Sequence, residues 1–168
     1  MSHVPHTLSH INALPEEEFV RVAGPVFEHS PWIAAAVAPQ RPFSSVDGLH
    51  AAMCDAVRQA PQDDQLALIR AHPDLVGRVV LTAESKGEQA AAGLTDLSPE
   101  EVALFDRYNR EYKTRFGFPF VICARLNKRE AILQAFPVRL QHTPEAEISA
   151  ALEEIYKIAG LRLADLIS

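Results

Sequence analysis

The chain has 168 residues, 48% hydrophobic and 23% charged, and its 16 Lys and Arg against 22 Asp and Glu leave a net charge of −6. That acidic balance excludes a general nucleic-acid or anionic-membrane binder, because neither works without a clustered basic surface. No apolar run approaches the roughly 20 residues that span a bilayer, and the length suits a single domain, residues 1–168, that buries about two-thirds of its extended surface unaided. Cys54 and Cys123 stand far apart with no CxxC or finger spacing, so they read as small reduced core residues. The segment Met1-Ser2-His3-Val4-Pro5-His6 lacks the basic stretch and apolar core of a signal peptide. The last residues, Asp165-Leu166-Ile167-Ser168, are not the peroxisomal Ser-Lys-Leu address. The expected location is cytoplasmic.

The dominant period is helical. Pro15 followed by Glu16, Glu17 and Glu18 predicts a helix start, with acids in the first turn complementing the helix dipole. Phe19, Val22, Ala23, Val26 and Phe27 line one face until Gly24-Pro25 kinks or divides it, and Ser30-Pro31 restarts a short helix. Ser45 is an expected N-cap for a helix to about Ala60, with Val46, Leu49, Met53, Ala56 and Val57 inward. Pro61-Gln62-Asp63-Asp64 opens another that buries Leu66 and Ile69 and should end at His72, since Pro73 disfavours the α conformation before it. The stretch from Leu75 to Leu81 is ambiguous. A helix near Ser85 should stop at Gly93, where a left-handed cap fits.

Ser98-Pro99-Glu100-Glu101 is a capping box with proline at the first helical position. Val102, Phe105, Asn109, Tyr112 and Phe116 then recur at helical steps until Gly117. Phe118 to Ala124 is apolar without alternation; a lone strand would have no partner, so loop into helix is the expectation. Asn127 to Glu130 should cap a helix carrying Ile132, Leu133 and Phe136, and Thr143-Pro144-Glu145 should start the last one. The predicted fold is an all-α bundle of about eight helices.

Among titratable residues His72 is the most informative. A histidine at a helix C-terminus, directed by the following proline, could serve as a general acid or base near neutral pH. The plainer alternative is a helix-ending histidine bonded to the last carbonyls. Ser85 and Glu88 fit either a capping box, which the spacing favours, or, with Gln89, polar contacts at an anion-accepting helix N-terminus. Arg125 after an apolar wall suits a carboxylate or a planar urea-like group, although such arginines more often snorkel to solvent. His3, His6 and His10 form a loose cluster in what should be a frayed terminus. No HExxH, GxGxxG, Walker loop or GxSxG elbow is present, and His72-Pro73-Asp74 offers two possible ligands without a third, so no metal is expected.

Four segments in order carry a resemblance. They are Phe27-Glu28-His29-Ser30-Pro31-Trp32, Ala71-His72-Pro73-Asp74-Leu75, Ser85-x-x-Glu88-Gln89-x-x-Ala92-Gly93-Leu94, and Phe116-Gly117-Phe118-Pro119-Phe120-Val121-Ile122-Cys123-Ala124. Together they resemble the 2-oxo-4-hydroxy-4-carboxy-5-ureidoimidazoline (OHCU) decarboxylases of urate degradation, from about Leu14 to Leu163. The resemblance implies a carboxy-lyase of purine metabolism that converts OHCU to (S)-allantoin and CO2, built as an all-α homodimer and using no cofactor. It further implies His72 and Glu88 as catalytic residues. Pro73, Ser85, Gln89, Phe118, Phe120, Val121, Ile122 and Arg125 would be the substrate-binding ones. An inert helical interaction domain would explain the helical periodicity equally well, but not these four motifs in this order. A hydrolase using a metal on His72, Asp74 and another histidine is a third reading.

Overall fold

All but one of the described helices begin where a proline or a small hydroxyl residue relieves the first-turn amides, which have no intrahelical partner. The computed structural model describes residues 5–77 and 81–168, so His3 and part of the ambiguous Leu75–Leu81 stretch lie outside the described residues. Nine α-helices and no strand are found among them. By contacts the chain divides into two compact units, one formed by Met1–Ala71 with Tyr156–Ser168 and the other by His72–Ile155.

The first unit holds α1 (Leu8–Ala13), α2 (Glu16–Ala23), α3 (Trp32–Val37), α4 (Val46–Gln59) and α5 (Gln62–Arg70). It also takes in the second half of α9 (Pro144–Leu166). A 3-10 turn at Gly24–Val26 divides α2 from α3, as the Gly-Pro pair requires. Ser45 caps α4 by accepting the Gly48 amide at 2.9 Å. Leu49, Met53 and Val57 are fully buried, whereas Val46 and Ala56 are only half-buried. In α5 Leu68 and Ile69 are buried and Leu66 half-buried. A buried ion pair, Arg162 Nη1 to Glu28 Oε2 at 2.9 Å, joins α9 to the segment before α3.

The frayed terminus expected from the sequence is not found from residue 5 onward. Thr7 caps α1, which buries Ile11. The His6 N–H donates to the Leu166 carbonyl at 2.8 Å, and the Ser168 N–H donates to the His6 carbonyl at 2.9 Å. The His6 and His10 rings stack with centroids 5.3 Å apart.

The second unit holds α6 (Ala83–Ala91), α7 (Pro99–Phe116), α8 (Arg129–Leu140) and the first half of α9. The Ser98/Glu101 capping box opens α7 with both reciprocal bonds made, and Gly117 at φ +81° ends it. Phe105, Asn109 and Tyr112 face inward, while Val102, one turn short of the core, is 42% exposed. An aromatic cluster fills the interior: Phe120 stacks on Phe136 at 3.8 Å between centroids and meets Tyr112 edge-on at 5.4 Å. Residues 118–123 run without regular structure into a 3-10 turn, Ala124–Leu126, so loop into helix describes them. Lys128, not Asn127, occupies the N-cap of α8 and offers no side-chain bond. The Arg129 N–H instead donates to the Ala92 carbonyl at the end of α6, at 3.1 Å, and Asn127 Nδ2 donates to Cys123 O at 2.9 Å. No described helix is long and apolar enough to cross a membrane.

Candidate active site

Proline decides where α5 stops. The helix ends at Arg70 with Ala71 as C-cap, two residues earlier than expected, because Pro73 bars the α conformation at His72 and the preceding residue closes the last carbonyls. His72 therefore lies just past the helix end, and it is buried. Pro73 beside it is half-buried.

The chain then makes a tight turn in which the Gly77 N–H donates to Asp74 O at 3.3 Å. Its third residue, Val76, has φ +59°, a conformation strongly disfavoured for a β-branched side chain. The turn is held from both sides. Gln89 Oε1 accepts the Val76 amide at 3.1 Å, and Gln89 Nε2 donates to Asp74 O at 3.4 Å. From α7, Asn109 Nδ2 donates to Leu75 O at 2.8 Å, and Lys113 Nζ pairs with Asp74 Oδ2 at 2.7 Å. Strain of this kind persists only where surrounding bonds over-determine it.

The N-cap of α6 is Thr82, whose Oγ1 accepts the Ser85 amide at 3.1 Å. Ser85 thus sits at the third helical position, and the Ser85/Glu88 pair is no capping box. This corrects the cap that spacing favoured: a threonine three residues upstream already satisfies that amide. Ser85 and Gln89 are buried one turn apart, with Glu88 half-buried between them. Gly93 at φ +82° closes the helix, and the Leu94 N–H returns to Gln89 O at 3.0 Å.

Helix α6 packs against the 3-10 turn that carries Arg125. Arg125 is exposed there, whereas Phe118, Phe120, Val121 and Ile122 just before it are buried. The rings of Phe118 and Phe120 belong to the aromatic cluster around Tyr112. Burial raises the Cys123 thiol above its usual range, and the carboxylates of Glu154 and Glu88 add to the effect.

One unit thus brings together the His72 turn, the Ser85–Gln89 face of α6 and the segment ending at Arg125. Sequence reasoning missed the groups that hold them: Thr82, Asn109 and Lys113, together with Arg139, which donates to the Val121 carbonyl and pairs with Glu147. Asn109 alone left a signal, an amide on an otherwise apolar stripe. Among the described residues no group of three or more His, Cys, Asp or Glu is arranged to hold a metal ion.

The arrangement offers a buried imidazole, a half-buried carboxylate, hydroxyl and amide donors and a guanidinium beside an apolar wall. That set suits proton transfer on a small, polar, anionic substrate. Comparison with known proteins agrees in kind. The family model described as OHCU decarboxylase matches residues 12–164. A protein of Amia calva named 2-oxo-4-hydroxy-4-carboxy-5-ureidoimidazoline decarboxylase is 47% identical over 94% of this chain and 92% of its own length. One of the same name from Haloferax volcanii is 44% identical over 96% of each chain. The crystal structure of an (S)-allantoin synthase superposes with a TM-score of 0.79 at 31% identity; the match covers 96% of this chain and 54% of that one.

Proposed function

This chain belongs to the OHCU decarboxylase family, and from that membership we propose that it converts OHCU to (S)-allantoin and CO2 in urate degradation, with His72 and Glu88 as its catalytic residues. The observation that carries the residue assignment is the convergence, within one compact unit, of the His72 turn, the Ser85–Gln89 face and the segment leading to Arg125.

The substrate supplies its own electron sink. The carbon that bears the carboxylate also bears a hydroxyl and adjoins a ring C=N bond. As the bond to CO2 breaks, its electron pair forms a C=C bond and the imine electrons move to nitrogen, which takes a proton. The hydroxyl then becomes the carbonyl of allantoin as the former imine carbon is protonated on one face. The protein has to orient the substrate, manage charge and deliver that proton stereospecifically.

His72 takes the hydroxyl proton as the carbonyl develops. Glu88 orients the imidazole or a ring nitrogen and relays a proton toward the former imine carbon. Ser85, Gln89 and Arg125 hold the ureido and ring carbonyl groups; Gln89 does so while its amide also braces the turn after His72. Pro73 and the segment of Phe118, Phe120, Val121 and Ile122 exclude water from the departing carboxylate. No metal or organic cofactor takes part in this scheme. The family pattern also supports a homodimer of one catalytic domain acting in the cytoplasm, which sedimentation and cell fractionation would check.

The deciding measurement is circular dichroism of the product from OHCU generated in situ, because unaided decay gives racemic allantoin. The wild type should build the (S)-allantoin signal rapidly, and a folded His72→Ala variant should be slower by on the order of 10²–10⁴. Near-full turnover in that variant would remove His72 from the mechanism.

A further inference from the structure

An irregular buried segment has to find partners for its backbone polar groups, because no ladder or helix supplies them. At both the Cys123 N–H and the Val121 carbonyl that partner is a side chain. The Cys123 N–H donates to Glu154 Oε1 at 3.0 Å, and the Val121 carbonyl accepts a bond from Arg139 Nη1.

Arg139 is itself held on every side. Its Nε donates to Glu147 Oε1 at 2.8 Å, its Nη2 reaches the Tyr112 hydroxyl at 3.5 Å, and its guanidinium lies 4.4 Å over the Phe120 ring. Glu147 is fully buried and also accepts the Tyr112 hydroxyl at 2.5 Å, while His142 Nδ1 lies 2.7 Å from its other oxygen. Burial and the bond to Glu147 keep the Tyr112 hydroxyl protonated well above its usual range, so it remains a donor. A network of this kind works as a unit, since each member is placed by the others.

We infer that Arg139 is a positioning residue for the decarboxylation, fixing the Phe118–Ile122 wall at the Val121 carbonyl and the Phe120 ring while Glu147 locks its guanidinium. The inference rests on the proposed role of that wall in the substrate site. A flat five-donor fork is needed to meet a carboxylate, a carbonyl and a ring face at once, and a lysine offers only a point charge on a flexible stem.

Arg139→Lys keeps a cation opposite Glu147, so the fold should survive while the wall loses its anchor. A wall displaced by about 1 Å should lower kcat by roughly 10- to 100-fold, with KM moved far less. Arg139→Met/Glu147→Leu is the companion variant: it leaves no unpaired buried charge and should show the same loss in kcat. Assays run well below each melting temperature keep the folded fraction near one. A folded variant of either kind with kcat within twofold of the wild type would overturn the inference. So would a loss confined to KM. The His72→Ala enzyme, assayed in parallel, separates the two proposals: full activity there with slow Arg139 variants would remove the histidine assignment and leave the wall's importance standing.

Discussion

The turn at 74–77, which directly follows His72 and Pro73, and the irregular segment at 118–123 lie in the same unit, yet they are secured by different physics. The turn is clamped by neutral amides, Gln89 and Asn109, with one half-exposed ion pair to Lys113, and it carries a valine in a left-handed conformation. The wall is anchored through a fully buried carboxylate and a guanidinium. Neutral hydrogen bonds each contribute about 1 kcal/mol net and tolerate substitution. A buried ion pair contributes little net stability but is costly to break on one side. The turn should therefore yield gradually to mutation, and the wall abruptly.

The sharpest way to break the contrast is Glu147→Ala, which strands the Arg139 cation in the interior. We expect a loss of about 3–5 kcal/mol, read from urea unfolding midpoints. A loss below about 1 kcal/mol would mean that the pair is not what secures the wall. In the turn the sign should reverse. Val76→Gly removes the left-handed penalty at the expense of some unfolded-state entropy, for a net gain of on the order of 1 kcal/mol and a higher melting temperature. No rise would show that the turn is relaxed with valine in place. The smallest effect belongs to Lys113→Met, whose ion pair is 48% exposed on the lysine side. It should change stability by less than about 1 kcal/mol, and the difference should vanish in high salt.

The same contrast explains what could be read from the chain alone. The helix starts at Pro15, Ser45, Pro61 and Ser98 were legible because a cap or a proline acts within three or four residues of its own position. So was the stop at Gly117, where only a residue free to adopt positive φ fits well. The four motifs were legible as a resemblance and pointed to the family that the comparisons support. Two local features competed and misled: Ser85 looked like a cap because Thr82 lay outside the motif considered, and α1 went unread because a six-residue helix has little periodicity. The Arg139–Glu147 pair left no trace at all. It joins two helices across a turn, and in a helical pattern a buried charge looks like any solvated one until its partner is known. The Val76 conformation was hidden for a related reason, since the turn is held by the Gln89 bond to Val76 and the Asn109 bond to Leu75, which span 13 and 34 residues.

Helix α9 gives Glu147 to one compact unit and Arg162 to the other. Residues 72–155 form an uninterrupted stretch, so everything that braces the wall has been synthesised by the time α9 is half made. The other unit is discontinuous. Its Glu28 emerges early, but Arg162, the cation that neutralises it in the finished interior, is translated only after the whole of the 72–155 unit. During synthesis that carboxylate has to stay hydrated and the helices around it unsealed. The order of translation thus favours residues 72–155 as the first to close, and the helices around Glu28 wait for the second half of α9.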